Sequence, residues 1–270
     1  MSADDTTLPP AAVPEPAAVS VGRLMLRPTL LFVAGYVINT SLHELAHALA
    51  ALWLGLPSRL FHSYVDVDLT NATPYVQGVV RAAGPVVSLV LGVLCWFAHR
   101  AVRGWWPELP LFYVAVFGVA SFLGNLFSVA LVGDFSNMAA ALDLSTNVRY
   151  AIAGVGAFLL IGFAFDIGRE LREWVPEGFG ALKAAGAVVA APAIEGTVVI
   201  LLIYQPMAAN AMQARAAEAA FWFFAVLGAL VGSARPARTE GLNVRRADWI
   251  YAAAAVIALR VLALGIPFKP

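Results

Sequence analysis

Repeated apolar runs, each near the length of a membrane-spanning helix, constrain this chain more than any other feature. Seven can be read, at residues 28–56, 76–98, 109–132, 150–168, 181–204, 217–233 and 248–266. A helix needs about 20 apolar residues to cross the hydrocarbon of a bilayer, where every backbone polar group must be bonded internally. The runs predict an all-α polytopic membrane protein with about seven transmembrane helices, an integral, multi-pass protein of the cell membrane whose first partner is the lipid bilayer. Composition agrees: of 270 residues, 61% are hydrophobic and 13% charged, against about 25% charged in soluble domains. The formal net charge of zero gives no basic excess of the kind that binds nucleic acid. The single cysteine, Cys95, excludes an internal disulfide.

Residues 1–22 are rich in Ala and Pro, carry Asp4, Asp5 and Glu15, and lack periodic apolar content. They predict a disordered tail. Arg23 and Arg27 precede an apolar stretch too long for the core of a signal peptide. A cytoplasmic N-terminus places most arginines inside, from Arg23 and Arg27 to Arg245 and Arg246. It leaves mainly Arg59, Arg149, Arg215 and Lys269 outside, so the charge bias favours that orientation.

The first run holds His43-Glu44-Leu45-Ala46-His47. Three ionisable side chains in hydrocarbon-compatible sequence are costly unless something compensates them. Residues four apart share a helix face, so both imidazoles can reach one metal ion, with Glu44 at the edge of that face. This is the HExxH arrangement of two zinc ligands and a general base. The chain has only four histidines, so two of them flanking a glutamate by chance is improbable. Catalytic zinc usually takes a third protein ligand and leaves one position for water. Asp134, which closes the third run, is the best candidate. An aspartate, a glutamate and a divalent cation sum to zero charge, which helps such a cluster persist in low dielectric. The expected cofactor is therefore Zn2+, and the expected chemistry is peptide hydrolysis within a membrane.

Other polar residues fall into place around this group. Asn39 and Thr40, one turn before His43, can orient a ligand or bond substrate. Asn125, buried in apolar sequence, can donate to a substrate backbone or to a forming oxyanion. Gly84-Pro85 kinks the second helix and brings its backbone towards the metal, with Arg81 one turn earlier and Ser88 one turn later. Between the first two runs, residues 61–69 alternate apolar and polar positions and read as one strand. Its edge can take up an extended substrate by strand addition. Glu195, inside the fifth run, is expected to pair with an arginine or histidine, Asp166 to lie at the interface, and His99 to lie on the surface beside Arg100. The basic linker 235–246 reads as a cytoplasmic loop.

Taken together, the HELAH sequence at 43–47, the Ala83-Gly84-Pro85-Val86-Val87-Ser88 element and the stretch from Asn125 to Asp134 resemble the motifs of the site-2 protease family, the zinc intramembrane metalloproteases. The resemblance covers about residues 28–140. It departs from the family pattern at Ser128 and Phe135, where proline and glycine are usual. It implies a three-helix catalytic core, zinc held by His43, His47 and Asp134, Glu44 as base, and membrane-protein substrates that are locally unwound. Residues 23–148 then form the catalytic core and 149–270 accessory helices. Two other readings fit the residues alone. One is an intramembrane ion or metal transporter using His43, His47, Asp134 and Glu195; the other is a catalytically silent scaffold of the same fold.

Overall fold

The computed structural model describes residues 21–175, 179–204, 211–233 and 242–270, without the side chains of Arg23 and residues 211–217. The expected tail lies outside these residues except for Val21 and Gly22, which open the first helix. Most of the 235–246 linker lies outside them as well.

Helix α1 runs Val21–Trp53 and carries the HELAH sequence in its C-terminal half. It stops at a glycine. Gly55 takes φ +77°, Leu56 N–H reaches back to the Ala51 carbonyl and Gly55 N–H to that of Leu52. These paired bonds close the helix end in a Schellman motif, and Pro57 follows where a helix cannot continue.

The stretch expected as one strand over 61–69 is instead half of a hairpin. Strand β1 is Ser58–Leu60 and β2 is Val65–Val67, antiparallel. Phe61 N–H bonds the Tyr64 carbonyl at 2.9 Å, and the two rings stack at 4.7 Å. The alternation of residues 61–64 therefore belongs to the turn. Strand β3, Ile266–Phe268, pairs with the other edge of β1, in the order β2-β1-β3. Hydrogen-bonded and non-bonded pairs alternate along antiparallel strands. Counting from the bonded pair Phe61–Tyr64, Asp66 faces its backbone groups to Arg59, while Val65 and Val67 turn theirs to the open edge. The same count puts Pro267, which lacks an N–H, at a non-bonded position opposite Arg59.

Thr73 caps α2 (Pro74–Ala101), its side chain accepting from Val76 N–H, with a proline in the first turn. There follow α3 (Glu108–Phe127), a 3₁₀ turn (Ser128–Ala130), α4 (Asp134–Ala141) and α5 (Thr146–Arg172). Next, α6 (Ala181–Ala185), a π turn (Gly186–Ala190) and α7 (Ala191–Ile203) form one continuous rod. The last helices are α8 (Ala211–Val231) and α9 (Arg246–Leu262).

Four helical stretches are long and apolar enough to cross a membrane: Pro74–Ala101, Glu108–Ala130, Thr146–Arg172 and Ala181–Ile203. The other three expected spans are helical and do not meet that measure over their described residues. Among the described residues, α8 contributes the shorter apolar stretch Glu218–Val231, and α9 has 17 residues.

Helix α1 packs against α2, α3, α7 and α9, and α5 against α3 and α8. Phe32 sits at the centre, edge-on to Phe117 at 4.9 Å and tilted on Trp222 at 5.0 Å. Small residues bring backbones together. A Cβ on Gly92 would lie 2.7 Å from the Val119 nitrogen of α3, and one on Gly168 would overlap the Ala225 carbonyl of α8. At the N-terminal end of α1, Arg27 forms a bidentate pair with Asp248 of α9, Nε–Oδ2 2.9 Å and Nη2–Oδ1 3.2 Å. Trp106 Nε1 also donates to Asp248. Two expectations are corrected here. His99 is fully buried, its ring set between Trp96 and Phe112 and its Nε2 3.8 Å from Glu170. Glu195 is exposed and accepts a bond from Thr29 Oγ1 at 3.0 Å, so its partner is a hydroxyl and not a cation.

Candidate metal centre

The helical spacing of His43 and His47 places their rings 4.9 Å apart on one face of α1. Asp134 reaches them from the first residue of α4, its Oδ2 3.0 Å from His43 Nε2 and 3.5 Å from His47 Nε2. These three residues offer ligand atoms that lie within 4.8 Å of one another, and they can hold a metal ion. Among the described residues no other group of His, Cys, Asp or Glu does so. Both histidines are buried and the Asp134 side chain is 30% exposed.

The far nitrogens of the rings are already engaged. His47 Nδ1 lies 2.6 Å from the Val80 carbonyl oxygen, which can only accept. Nδ1 therefore carries the proton, and in the neutral ring Nε2 presents a lone pair. That lone pair faces the Asp134 carboxylate, and two acceptors facing each other need a proton or a metal cation between them. His43 Nδ1 lies 3.0 Å from Ser88 Oγ, itself fully buried. Such outer bonds orient metal-ligating imidazoles.

Helix α2 makes room for the group with a glycine. A Cβ on Gly84 would come within 2.6 Å of His43 Nε2 and closer still to His47 Nε2. Pro85, buried beside it, lacks the N–H that would bond the Arg81 carbonyl. The backbone of α2 thus lies against the histidines.

Asp134 is aimed by its own neighbours. Its N–H donates to Asn125 Oδ1 at 3.2 Å, and Asn125 Nδ2 donates to the Ser121 carbonyl at 3.0 Å. Asn125 therefore positions the aspartate. Gly133 precedes Asp134 at φ +107° and ψ −172°, backbone that only glycine adopts readily. The family pattern has a glycine after the aspartate. This chain has Phe135 there, packed edge-on to Phe122 at 5.5 Å, and the glycine on the other side.

The group opens into a cavity of about 1140 Å³. Glu44, half-buried, lines it together with Asn39 and Thr40 of α1. Asn39 is 5% exposed and its Oδ1 meets no hydrogen-bond donor. Val65 and Val67 of β2 form one wall and Arg81 of α2 another. The fourth, fifth and sixth runs also contribute: Leu160, Tyr204 and Trp222 line the same space. Glu195 is not among the metal-group residues. The Val80 carbonyl, Gly133 and the Tyr204–Trp222 wall escaped the sequence reading. Only Gly133, a glycine directly before the candidate ligand, left a signal there.

No family model, curated protein or solved structure matches the chain.

Proposed function

We propose that this protein is a zinc-dependent intramembrane endopeptidase, a divergent relative of the site-2 proteases, cutting membrane-protein substrates in or near their transmembrane segments. The observation that carries the reading is the His43–His47–Asp134 group, seated against Gly84, with Glu44 in the cavity it opens into. The donor set suits zinc: two imidazole nitrogens and one carboxylate oxygen leave a fourth position for substrate chemistry. In this reading α1, α8 and α9 lie in the cell membrane beside the four apolar helical stretches named above.

A zinc ion held there supplies Lewis acidity towards a water molecule and a peptide carbonyl. The chain's own residues do the rest. Ser88 and the Val80 carbonyl keep the two imidazoles in place, and Asn125 keeps Asp134 in place. Glu44 takes a proton from the attacking water and delivers it to the leaving amine nitrogen. The open edge of β2 offers the N–H and C=O groups of Val65 and Val67 to an extended substrate. A helical substrate must unwind locally to pair there.

The test is cleavage of a transmembrane reporter by the purified protein in liposomes. Glu44→Gln should cut at least about 10²-fold more slowly, the usual contribution of a general base, while keeping its metal. An unchanged rate would refute the assignment.

A further inference from the structure

Arg81 is the unexplained charge of this cavity. Among the described side chains, four arginines are buried or half-buried: Arg27, Arg81, Arg149 and Arg172. Arg27 is paired with Asp248, Arg149 donates to the Leu144 carbonyl at 3.0 Å, and Arg172 to the Phe179 carbonyl at 2.9 Å. Arg81 makes no hydrogen bond or ion pair with any described residue, and its Nε is buried without an acceptor. A buried donor left in this state costs its full desolvation and asks for a partner that arrives from outside.

Its position says where that partner sits. Arg81 lines the cavity. It lies one helical turn before Gly84, on the face that meets the histidines, and directly after Val80, whose carbonyl holds His47. With zinc bound, the charges of Glu44, Asp134 and the ion cancel, and the charged side chains left in the lining are Arg81 and Glu218. Glu218 also lines the cavity but is not bonded to Arg81. Val65 and Val67 of β2 line the same space, and in the protease reading the occupant of that open edge is an extended peptide. The acidic groups of a peptide are carboxylates, whose geometry the guanidinium fork matches.

We propose that Arg81 anchors substrate, its guanidinium binding a carboxylate of the peptide close to the bond being cut. The carboxylate is an Asp or Glu side chain or a free C-terminus. The identity of the occupant rests on the protease reading above; the unmet charge does not.

The test is equilibrium binding of fluorescent peptides to the full chain in detergent, in a zinc-loaded Glu44→Gln background so that nothing is cut. Three peptide sets share one apolar sequence: neutral with an amidated end, amidated with a single Glu scanned along it, and neutral with a free C-terminal carboxylate. One acidic set should bind about 10- to 100-fold tighter than the neutral one, the range of a hydrogen-bonded charge pair, and which set does so identifies the carboxylate. Arg81→Gln should abolish the preference while leaving neutral peptides and zinc content unchanged. Arg81→Lys should restore it in part, because an ammonium lacks the planar fork. Equal binding of all three sets would overturn the proposal. So would an Arg81→Gln variant that weakens neutral and acidic peptides alike, or one that loses only binding to vesicles of anionic lipid. Cleavage by the wild type is scored separately: a protein that prefers acidic peptides yet cuts none keeps the anchor and loses the protease.

Discussion

His47 shows how much of the metal group depends on atoms that carry no metal. Its Nδ1 proton is fixed by a backbone carbonyl, and His43 is steadied by one hydroxyl. Removing that hydroxyl with Ser88→Ala should weaken zinc about 10- to 100-fold, the usual effect of losing an outer partner, measurable by competition with a chromogenic chelator. Gly84→Ala is a different kind of change. Its methyl group would occupy the space between the two Nε2 atoms, so we expect protein that folds but is purified without zinc. Metal analysis beside a thermal melt separates that outcome from misfolding. Gly133→Ala forces a side chain onto backbone at φ +107°. It should cost about 1–3 kcal/mol, read as a lower melting temperature together with weaker zinc binding, because Asp134 is the next residue. His43, Glu44 and His47 were legible in the sequence because helical spacing alone brings them together. The Val80 carbonyl was not, since a backbone oxygen has no identity until a fold places it.

At the scale of elements, the hairpin is where sequence and structure part most clearly. Alternation over 61–69 reads as a single strand because the turn residues Phe61 to Tyr64 continue the period of β2. The stacked Phe61 and Tyr64 rings, which form the turn, look in sequence like two more strand positions. The outcome still leaves β2 with an open edge, and the register specifies which groups occupy it. Val67→Pro should remove one edge N–H and lower substrate affinity about 2- to 10-fold, the equivalent of a hydrogen bond of about 0.5–1.5 kcal/mol. Asp66→Pro should instead break the pairing with β1, because that residue faces Arg59. Comparing the two variants by peptide binding and by melting tests the register directly. His99 was misread for a related reason. Its neighbour Arg100 suggests a surface, whereas Phe112 of α3 and Glu170 of α5 enclose it only after three helices pack.

For the whole molecule, the metal group and the Arg27–Asp248 pair tie α1 down in separate places, the first in its C-terminal half and the second near its N-terminus. The pair fastens α1 to α9 and, through Trp106, to the connection between α2 and α3. Breaking a buried pair leaves an uncompensated charge. Asp248→Ala should therefore destabilise the protein by about 3–5 kcal/mol, seen as a lower detergent-melting temperature with zinc content unchanged. Asp248 was missed because it opens an apolar run in sequence and finds its partner 221 residues away. Beyond residue 148, Tyr204 and Trp222 line the same cavity as Glu44. In the proposed function one ion is shared by three residues from two helices far apart in sequence. Stepwise return of zinc to chelator-stripped protein, with metal content and cleavage of a transmembrane reporter measured in each sample, tests this most directly. Cleavage should rise in proportion to zinc and level off at about one ion per chain, the single catalytic ion that three protein ligands hold. Cleavage persisting in zinc-free protein, or zinc bound to that level with no cleavage, would contradict it.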